Sequence, residues 1–514
     1  MAADTAIALA PEILLVVAAS AIYLASAFTP RAPWNSLTLA ALLLAGAVLL
    51  ALGPVQPAGF DPLAHDGLAW FGRWLALGTA VVLALLAWSA EVPEGRPEYL
   101  GSFLLLTAGV MLTASATDFV LLFVGLELVS IPTYILLYLG RRDAASQEAT
   151  AKYFYLSVLA SALFLYGLSF LYGLSGSTDL RVIAAHLARA DSGIAHAALP
   201  RIGLVLVVAG LGFRITAVPF HFYAPDVYQG TTHGNAALLS VAPKIAGILV
   251  LVRLLVGTLA PVAPYAWPLV GVLAVATMTT GNVIALWQLH LRRLMAYSAI
   301  AHAGYLLVGL AVRLGCHTPE PWDGIAAVML YLVVYTLATL GVFSILAALG
   351  RQGRPVETID DLAGLARAGG WTRSLAAWSL AAFLFSLAGL PPLAGFWGKF
   401  ALFAGAVSLE QFAPPLRPWF VVLAICGVLN SVVSAVYYLR IVGVMFFRLP
   451  EEAHMVGPAS GEPADVSPHG LAPLAAALAC LVLVVGIGLR PGVWLDTAAR
   501  ASLPSTSQAM ARLK

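Results

Sequence analysis

The sequence predicts an all-α polytopic membrane protein of about 14 transmembrane helices. Three observations predict it. Of the 514 residues, 61% are hydrophobic and only 10% charged, whereas a soluble globular chain carries about 25% charged residues. The mean hydropathy of +0.91 leaves too little polar surface to cover soluble domains. Apolar runs of the ~20 residues needed to cross a bilayer recur from one end of the chain to the other. The same composition excludes other classes. A net charge of +2 without a basic run sets nucleic acid aside as a partner. Cys316, Cys426 and Cys480 lie far apart and form no CxxC pair, so no metal or iron–sulfur cluster is expected on this chain, and it has no glycine-rich nucleotide loop.

The runs, in order, are 6–29, 36–53, 70–89, 99–115, 118–140, 153–174, 201–224, 234–258, 266–287, 294–313, 323–349, 374–406, 416–447 and 470–489. The first carries Glu12 and lacks a preceding basic segment, which reads as a retained helix with its carboxylate at the interface, not a cleaved signal. The stretch 178–198, with Arg181 and Arg189, is too polar to span and reads as a short surface helix. The seventh run holds Pro219 in mid-span, which removes an amide donor and clashes with the carbonyl of Ile215. The twelfth holds Ser386-Leu387-Ala388-Gly389-Leu390-Pro391-Pro392 at depth. Irregular backbone there survives only inside protein or beside a wet cavity.

Breaks at Pro219 and at Pro391-Pro392 fall five spans apart. Two five-helix repeats, spans 4–8 (99–258) and 9–13 (266–447), would place each break fourth in its unit, and an odd repeat length inverts the second unit. Three helices (1–98) precede the repeats, and a last helix with its tail (470–514) follows them. The plain alternative is that proline is simply frequent in membrane helices. Basic residues of short loops set the orientation. Arg31, Arg96, Arg141, Arg142, Lys152, Arg292, Arg293, Arg351, Arg354, Arg367, Arg373 and Arg448 are assigned to odd-numbered loops. Arg73, Arg181, Arg189, Arg201, Arg313 and Arg417 are assigned to even ones. The two-to-one excess puts the odd loops in the cytoplasm and both termini outside.

Ionisable residues at bilayer depth are the candidate functional groups, since each costs about 2.5–3.5 kcal/mol on insertion scales. Glu127 falls nine residues after Asp118, about 14 Å into the fifth span at 1.5 Å per residue. Lys244 is central in the eighth span, directly after Pro243; Lys399 follows the double-proline break; Arg214 precedes Pro219; His302 is central in the tenth span. A buried lysine loses solvation of its charged form and a nearby glutamate restores it, so Glu and Lys whose separation changes make a switchable proton site. The alternative is an inert buried pair. Arg214 can bias its neighbours but hardly gives up a proton. His302 either relays protons or bonds across helices. His221 and Asp226 either line an inlet from the cytoplasm or cap exposed backbone. Lys152, Arg253 and Arg440 are expected to snorkel, and the Trp and Tyr residues to serve mainly as belt and packing.

Phe213-Arg214-Ile215-Thr216-Ala217-Val218-Pro219-Phe220-His221 and Pro225-Asp226-Val227-Tyr228-Gln229-Gly230 resemble the antiporter-like membrane subunits of respiratory complex I. Ala242-Pro243-Lys244, the run from Ala296 to Tyr305 around His302, and the run from Ser386 to Lys399 are similar to the subunit N branch of bacterial NADH–quinone oxidoreductases. The likeness spans roughly 100–450. It implies a 14-helix fold with two inverted repeats and a polar midplane axis. Within that axis, Glu127, Lys244 and Lys399 would be the key proton-channel residues. It also implies a bacterial inner membrane, further antiporter-like subunits as partners, and NADH, FMN, iron–sulfur clusters and quinone held by other subunits. That family usually has lysine at Arg214, so either Arg214 is a fixed cation poising Glu127 or Lys244 carries the transfer alone. A subunit of a multi-subunit cation/proton antiporter is the rival reading.

Overall fold

The computed structural model describes residues 2–29, 32–54, 62–88, 95–141, 143–189, 194–316, 323–351, 354–367, 369–408, 414–449, 465–466 and 470–501. Arg31, Arg142 and the tail 502–514 lie outside the described residues. Eleven helices among the described residues are long and apolar enough to cross a membrane, from Trp34–Leu52 to Leu471–Leu489. Three further runs complete the expected series. The helix Ala10–Ser26 is the first, with Ala2–Ala8 leading into it through the bond from Leu9 N to Thr5 O at 3.0 Å. The other two are the seventh and twelfth, and both are interrupted.

The seventh run is helical over Ile194–Arg214, irregular through Pro219, and helical again over Ala224–Gly230. Thr216 stands in the left-handed region at φ 61°, a conformation that ends a right-handed helix. The twelfth run is Trp371–Ala388 followed by Ala394–Val407. Gly389, at φ 90°, closes the first half, its amide bonding back to Phe385 O and Ser386 O at 3.0 Å; glycine takes this conformation without a Cβ penalty. Ser386 Oγ then accepts from Gly395 N at 3.1 Å, so the two halves are tied across the prolines. Both interruptions therefore lie where Pro219, Pro391 and Pro392 placed them. The polar stretch after the sixth span is a short helix, Leu180–Arg189.

The eighth run, His233–Leu251 continuing as a π-helical turn over Val252–Thr258, and the tenth, Leu291–Gly315, are enclosed by protein along their lengths. The eleventh, Gly324–Ala348, is nearly so. The thirteenth, Arg417–Phe447, turns Val422, Ile425, Leu429, Val432 and Val436 outward, the apolar face a lipid-contacting helix presents. One minor feature departs from an all-helical chain. Short strands at Leu349–Arg351, Arg354–Pro355 and Asp465–Val466 form a three-stranded sheet in the loops beside the eleventh and fourteenth spans.

Among the placements that differ from the sequence reading, three concern buried charges. Glu12 is not interfacial: it is 5% exposed, with Oε1 2.8 Å from Arg73 Nε. Arg73 belongs to the third span, Gly67–Trp88, and not to a loop. Arg253 does not snorkel: it donates to both oxygens of Asp66 at 2.9 and 3.1 Å and to Ala114 O at 2.6 Å. An arginine near a span end has two solutions, reaching water or recruiting a buried carboxylate, and one sequence does not reveal which carboxylates are near.

Candidate functional site

Glu127 is positioned by the fifth span, Phe119–Gly140, whose start is fixed by Asp118 accepting from Val120 N at 2.8 Å. Arg214 ends the first half of the broken seventh span, where a cation complements the helix dipole. The two meet. Arg214 Nη2 donates to Glu127 Oε1 and to Ser161 Oγ, both at 3.1 Å. Nη1 donates to Leu126 O at 3.1 Å and to Ser130 Oγ. Ser161 Oγ, on the sixth span Ala144–Ser175, donates to Glu127 Oε1 at 2.6 Å. The Arg214 side chain is 3% exposed and that of Glu127 23%, so the cation is enclosed while its carboxylate keeps one open side.

Lys244 is fully enclosed in the eighth span. Its Nζ donates to Ala299 O at 2.5 Å and to Tyr335 Oη at 3.1 Å, and stands 4.4 Å from the centre of the Tyr335 ring. The Tyr335 hydroxyl spends its own proton on Ser240 O at 3.1 Å, so its lone pair faces the lysine. Lys399 repeats the pattern in the second half of the twelfth span. Nζ donates to Ala388 O, at the break, at 3.0 Å and stands 4.8 Å from the Tyr305 ring centre. A carbonyl and a ring face are neutral partners for an ammonium. Among the described residues neither lysine forms an ion pair, and no hydrogen bond joins Arg214 to Lys244.

His302 lies between the lysines. Its ring is 5.1 Å from that of Tyr335 and 5.7 Å from that of Tyr305. Nδ1 bonds with Tyr331 Oη at 2.6 Å and Nε2 with Tyr438 Oη at 3.1 Å. Beyond Tyr305, Asn282 Nδ2 donates to Tyr305 Oη and to Asn430 Oδ1, both at 3.1 Å, and Tyr437 Oη donates to Asn282 Oδ1 at 3.1 Å. The structure thus brings Lys244, His302 and Lys399 into one buried polar row and holds Glu127 with Arg214 in a separate cluster.

His221 and Asp226 separate too. His221 sits half-buried in the break, and among the described residues its Nδ1 has no hydrogen-bond partner. Asp226 is paired with Lys152 at 2.9 Å and Arg293 at 2.6 Å, joining the sixth, seventh and tenth spans. What sequence reasoning missed is the tyrosine set, set aside as belt and packing, and the two asparagines, Asn282 and Asn430, which it did not single out. The signal was spacing. Tyr331 and Tyr335 are four apart, Ser298 and His302 four apart, and His302 and Tyr305 three apart, so each pair shares a helix face.

A bundle with two broken spans, enclosing lysines and a histidine at depth, defines an antiporter-like membrane subunit. Residues 116–429 match the family described as NADH:quinone oxidoreductase/Mrp antiporter, transmembrane. The chain is 39% identical over 453 residues to NADH-quinone oxidoreductase subunit N of Paramagnetospirillum magneticum, covering 86% of this chain and 88% of that one. It superposes on a chain of respiratory complex I from Thermus thermophilus with a TM-score of 0.75 at 31% identity, over 96% of this chain and all of that one. A chain of the Mrp complex from a Dietzia species superposes with a TM-score of 0.81 over the full length of both, at 23% identity, which is a likeness of fold alone. The chain belongs to the NADH-quinone oxidoreductase subunit N family.

Proposed function

We propose that this chain is a proton-translocating subunit of the membrane arm of an NADH–quinone oxidoreductase, working beside further antiporter-like subunits in a bacterial inner membrane. In this reading protons move through Lys244, His302 and Lys399, with Glu127 poised by Arg214, and quinone reduction in other subunits drives the cycle. The observation that carries it is the pair of enclosed lysines, Lys244 and Lys399, each held only by a carbonyl and a tyrosine. A lysine can discharge the cost of a buried charge by releasing its proton, and neutral partners leave that route open. The helix breaks put irregular backbone beside both Lys399 and Arg214. His221, in the break, and Asp226, beyond it, both half-buried, are assigned to the cytoplasmic inlet.

The test is Lys399→Ala in the assembled complex, reconstituted in vesicles. The expected result is normal assembly with impaired proton pumping. Full pumping in a correctly assembled variant would overturn the site. The antiporter reading is separated by purification from the native host: NADH–quinone reductase activity in a large assembly supports the proposal. A small membrane-only assembly exchanging sodium for protons overturns it.

A further inference from the structure

Lys399 is held across the break of its own span. The lysine stands in the second half, Ala394–Val407, while its acceptor, Ala388 O, ends the first half, Trp371–Ala388. Its stem lies on the glycine between them: a Cβ on Gly389 would meet Lys399 Cδ at 3.0 Å. The distance from Nζ to its carbonyl therefore follows how the two halves sit against each other. The seventh span carries a tie for its own break, since Tyr223 Oη donates to Phe213 O at 3.0 Å. The twelfth has the bond from Gly395 N to Ser386 Oγ and, in addition, a contact with the last membrane-spanning helix.

That helix is the fourteenth span, Leu471–Leu489. Its penultimate residue, Gly488, is buried against the break. A Cβ there would meet Pro392 O at 2.2 Å, Leu393 Cα at 3.0 Å and Ala394 N at 3.1 Å, so backbone rests on backbone and any side chain would force the two apart. The carbonyls of a helix's last turn have no amide of their own helix to accept from. Gly488 O accepts instead from Trp397 Nε1 at 3.0 Å. Trp397 is on the second half, two residues before Lys399, and its ring meets those of Phe396 and Phe400 edge-on, with centres 5.3 and 6.1 Å apart. The end of the fourteenth span thus touches the chain just after Pro391-Pro392 and, through the indole, the turn that carries Lys399.

We infer that Trp397 and Gly488 are positioning residues for Lys399: they fasten the second half of the twelfth span to the end of the fourteenth, and so set where Nζ stands relative to Ala388 O and the Tyr305 ring. The inference rests on the function proposed above. Neither residue is asked to exchange a proton, since an indole N–H is a donor only and Gly488 offers a backbone carbonyl. Their effect is geometric. N–H···O bonds have lengths of roughly 2.7–3.2 Å and weaken beyond that range, so a small shift of the second half opens the bond from Nζ to Ala388 O, which stands at 3.0 Å. That bond serves the ammonium form above all. Opening it alters the balance between charged and neutral lysine on which the proposed exchange depends.

The test uses the assembled complex in vesicles and reads the portion of pumping that Lys399→Ala removes, together with the pH at which that portion is half-maximal. Trp397→Phe keeps an aromatic ring and removes the N–H. It is expected to assemble, to lower the portion about fivefold, the scale of one hydrogen bond, and to move the half-maximal pH. Trp419→Phe, at an exposed tryptophan of the thirteenth span, is expected to do neither. In a Lys399→Ala background Trp397→Phe is expected to change pumping no further, since both act at one site. Gly488→Ala is expected to lower the portion with the same shift; if it does not assemble, Trp397→Phe decides. Parent-like pumping and an unmoved half-maximal pH in Trp397→Phe, with Lys399→Ala impaired, overturn the positioning role and leave the proposed function standing. A loss with an unmoved half-maximal pH, or a further loss in the Lys399→Ala background, marks general destabilisation and overturns it too. Full pumping in Lys399→Ala overturns the site and its positioning together.

Discussion

Arg214→Met is the perturbation that isolates the Glu127 cluster. It keeps an unbranched apolar stem and removes the guanidinium, with its bonds to Glu127, Ser161, Leu126 and Ser130. Glu127 is left with Ser161 alone. At the observed 3.1 Å and an effective dielectric of about 20, the gross attraction lost is about 5 kcal/mol. Breaking a buried pair costs ~3–5 kcal/mol. Because the Glu127 side chain keeps 23% of its exposure, the lower end applies, about 3 kcal/mol. In a Glu127→Gln background Arg214 has already lost its counter-ion, so removing the guanidinium relieves a stranded charge and should cost at most ~1 kcal/mol, that of neutral hydrogen bonds. The coupling between the two substitutions is therefore at least about 2 kcal/mol. The assay is the rate of thermal inactivation of the assembled complex for the parent, both single variants and the double variant, a rate being the meaningful quantity for a large assembly. Additive effects would refute the pairing. Arg214→Lys keeps the charge and is expected to retain pumping; total loss with normal assembly would mean that the planar fork itself is required.

Three other outcomes follow from particular contacts. Gly395→Ala would drive a Cβ to 1.6 Å from Ser386 O, a backbone atom at the break, so about 3 kcal/mol of destabilisation and a low yield of assembled complex are expected; Gly443→Ala, with nothing within 4 Å, should assemble like the parent. Arg253→Gln strands Asp66 in the contact between the third and eighth spans and should speed thermal inactivation, while Asp66→Asn added to it should restore much of the loss. In the loop before the tenth span, burial and the Arg292 guanidinium push the His290 imidazole down to about 4, below its ordinary ~6.5. The neutral form is favoured in the folded loop, so this contribution is present above pH 6.5 and is lost as pH falls toward 4. The amides of Leu291 and Ile359, bonded to Glu357 O and Leu289 O at 2.7 and 3.0 Å, should then exchange hydrogen faster, after correction for intrinsic rates. His290→Asn should flatten that dependence, and an unchanged profile would refute the assignment.

The helical frame was legible because the bilayer imposes one rule on every span, a run of apolar residues of fixed length, and because prolines mark where that rule is broken. Pro219 and the pair Pro391-Pro392 carried enough information to place both interruptions. Lys244, His302 and Lys399 were legible for the same reason: a charge or imidazole inside an apolar run stands out. The tyrosines around them were not. A tyrosine belongs equally at an interface or in an apolar core, so Tyr331, Tyr335 and Tyr438 carry no local mark of what they bond. Glu12 and Arg253 failed for the converse reason. Each lies near a span end, where composition suggests contact with water, and only tertiary packing supplies Arg73 and Asp66 as partners.

The distribution of cations over the interior has its own logic. Lys244 and Lys399 are held by carbonyls and rings, without a carboxylate among the described residues. Arg214 has one, Glu127, and three further acceptors. An arginine at depth cannot shed its charge, so it is stable there only with a counter-ion and a full set of acceptors. A lysine has the second option of becoming neutral, so it can occupy a site whose acceptors are neutral. The residue that stays charged thus has the matching anion, and the residues proposed to alternate do not. Exchanging the two settings is a direct consequence to examine: Lys244→Arg would put a permanent charge against Ala299 O and Tyr335 alone. It is expected to impair assembly or stop pumping, whereas Arg214→Lys, which keeps Glu127 opposite, is expected to do neither.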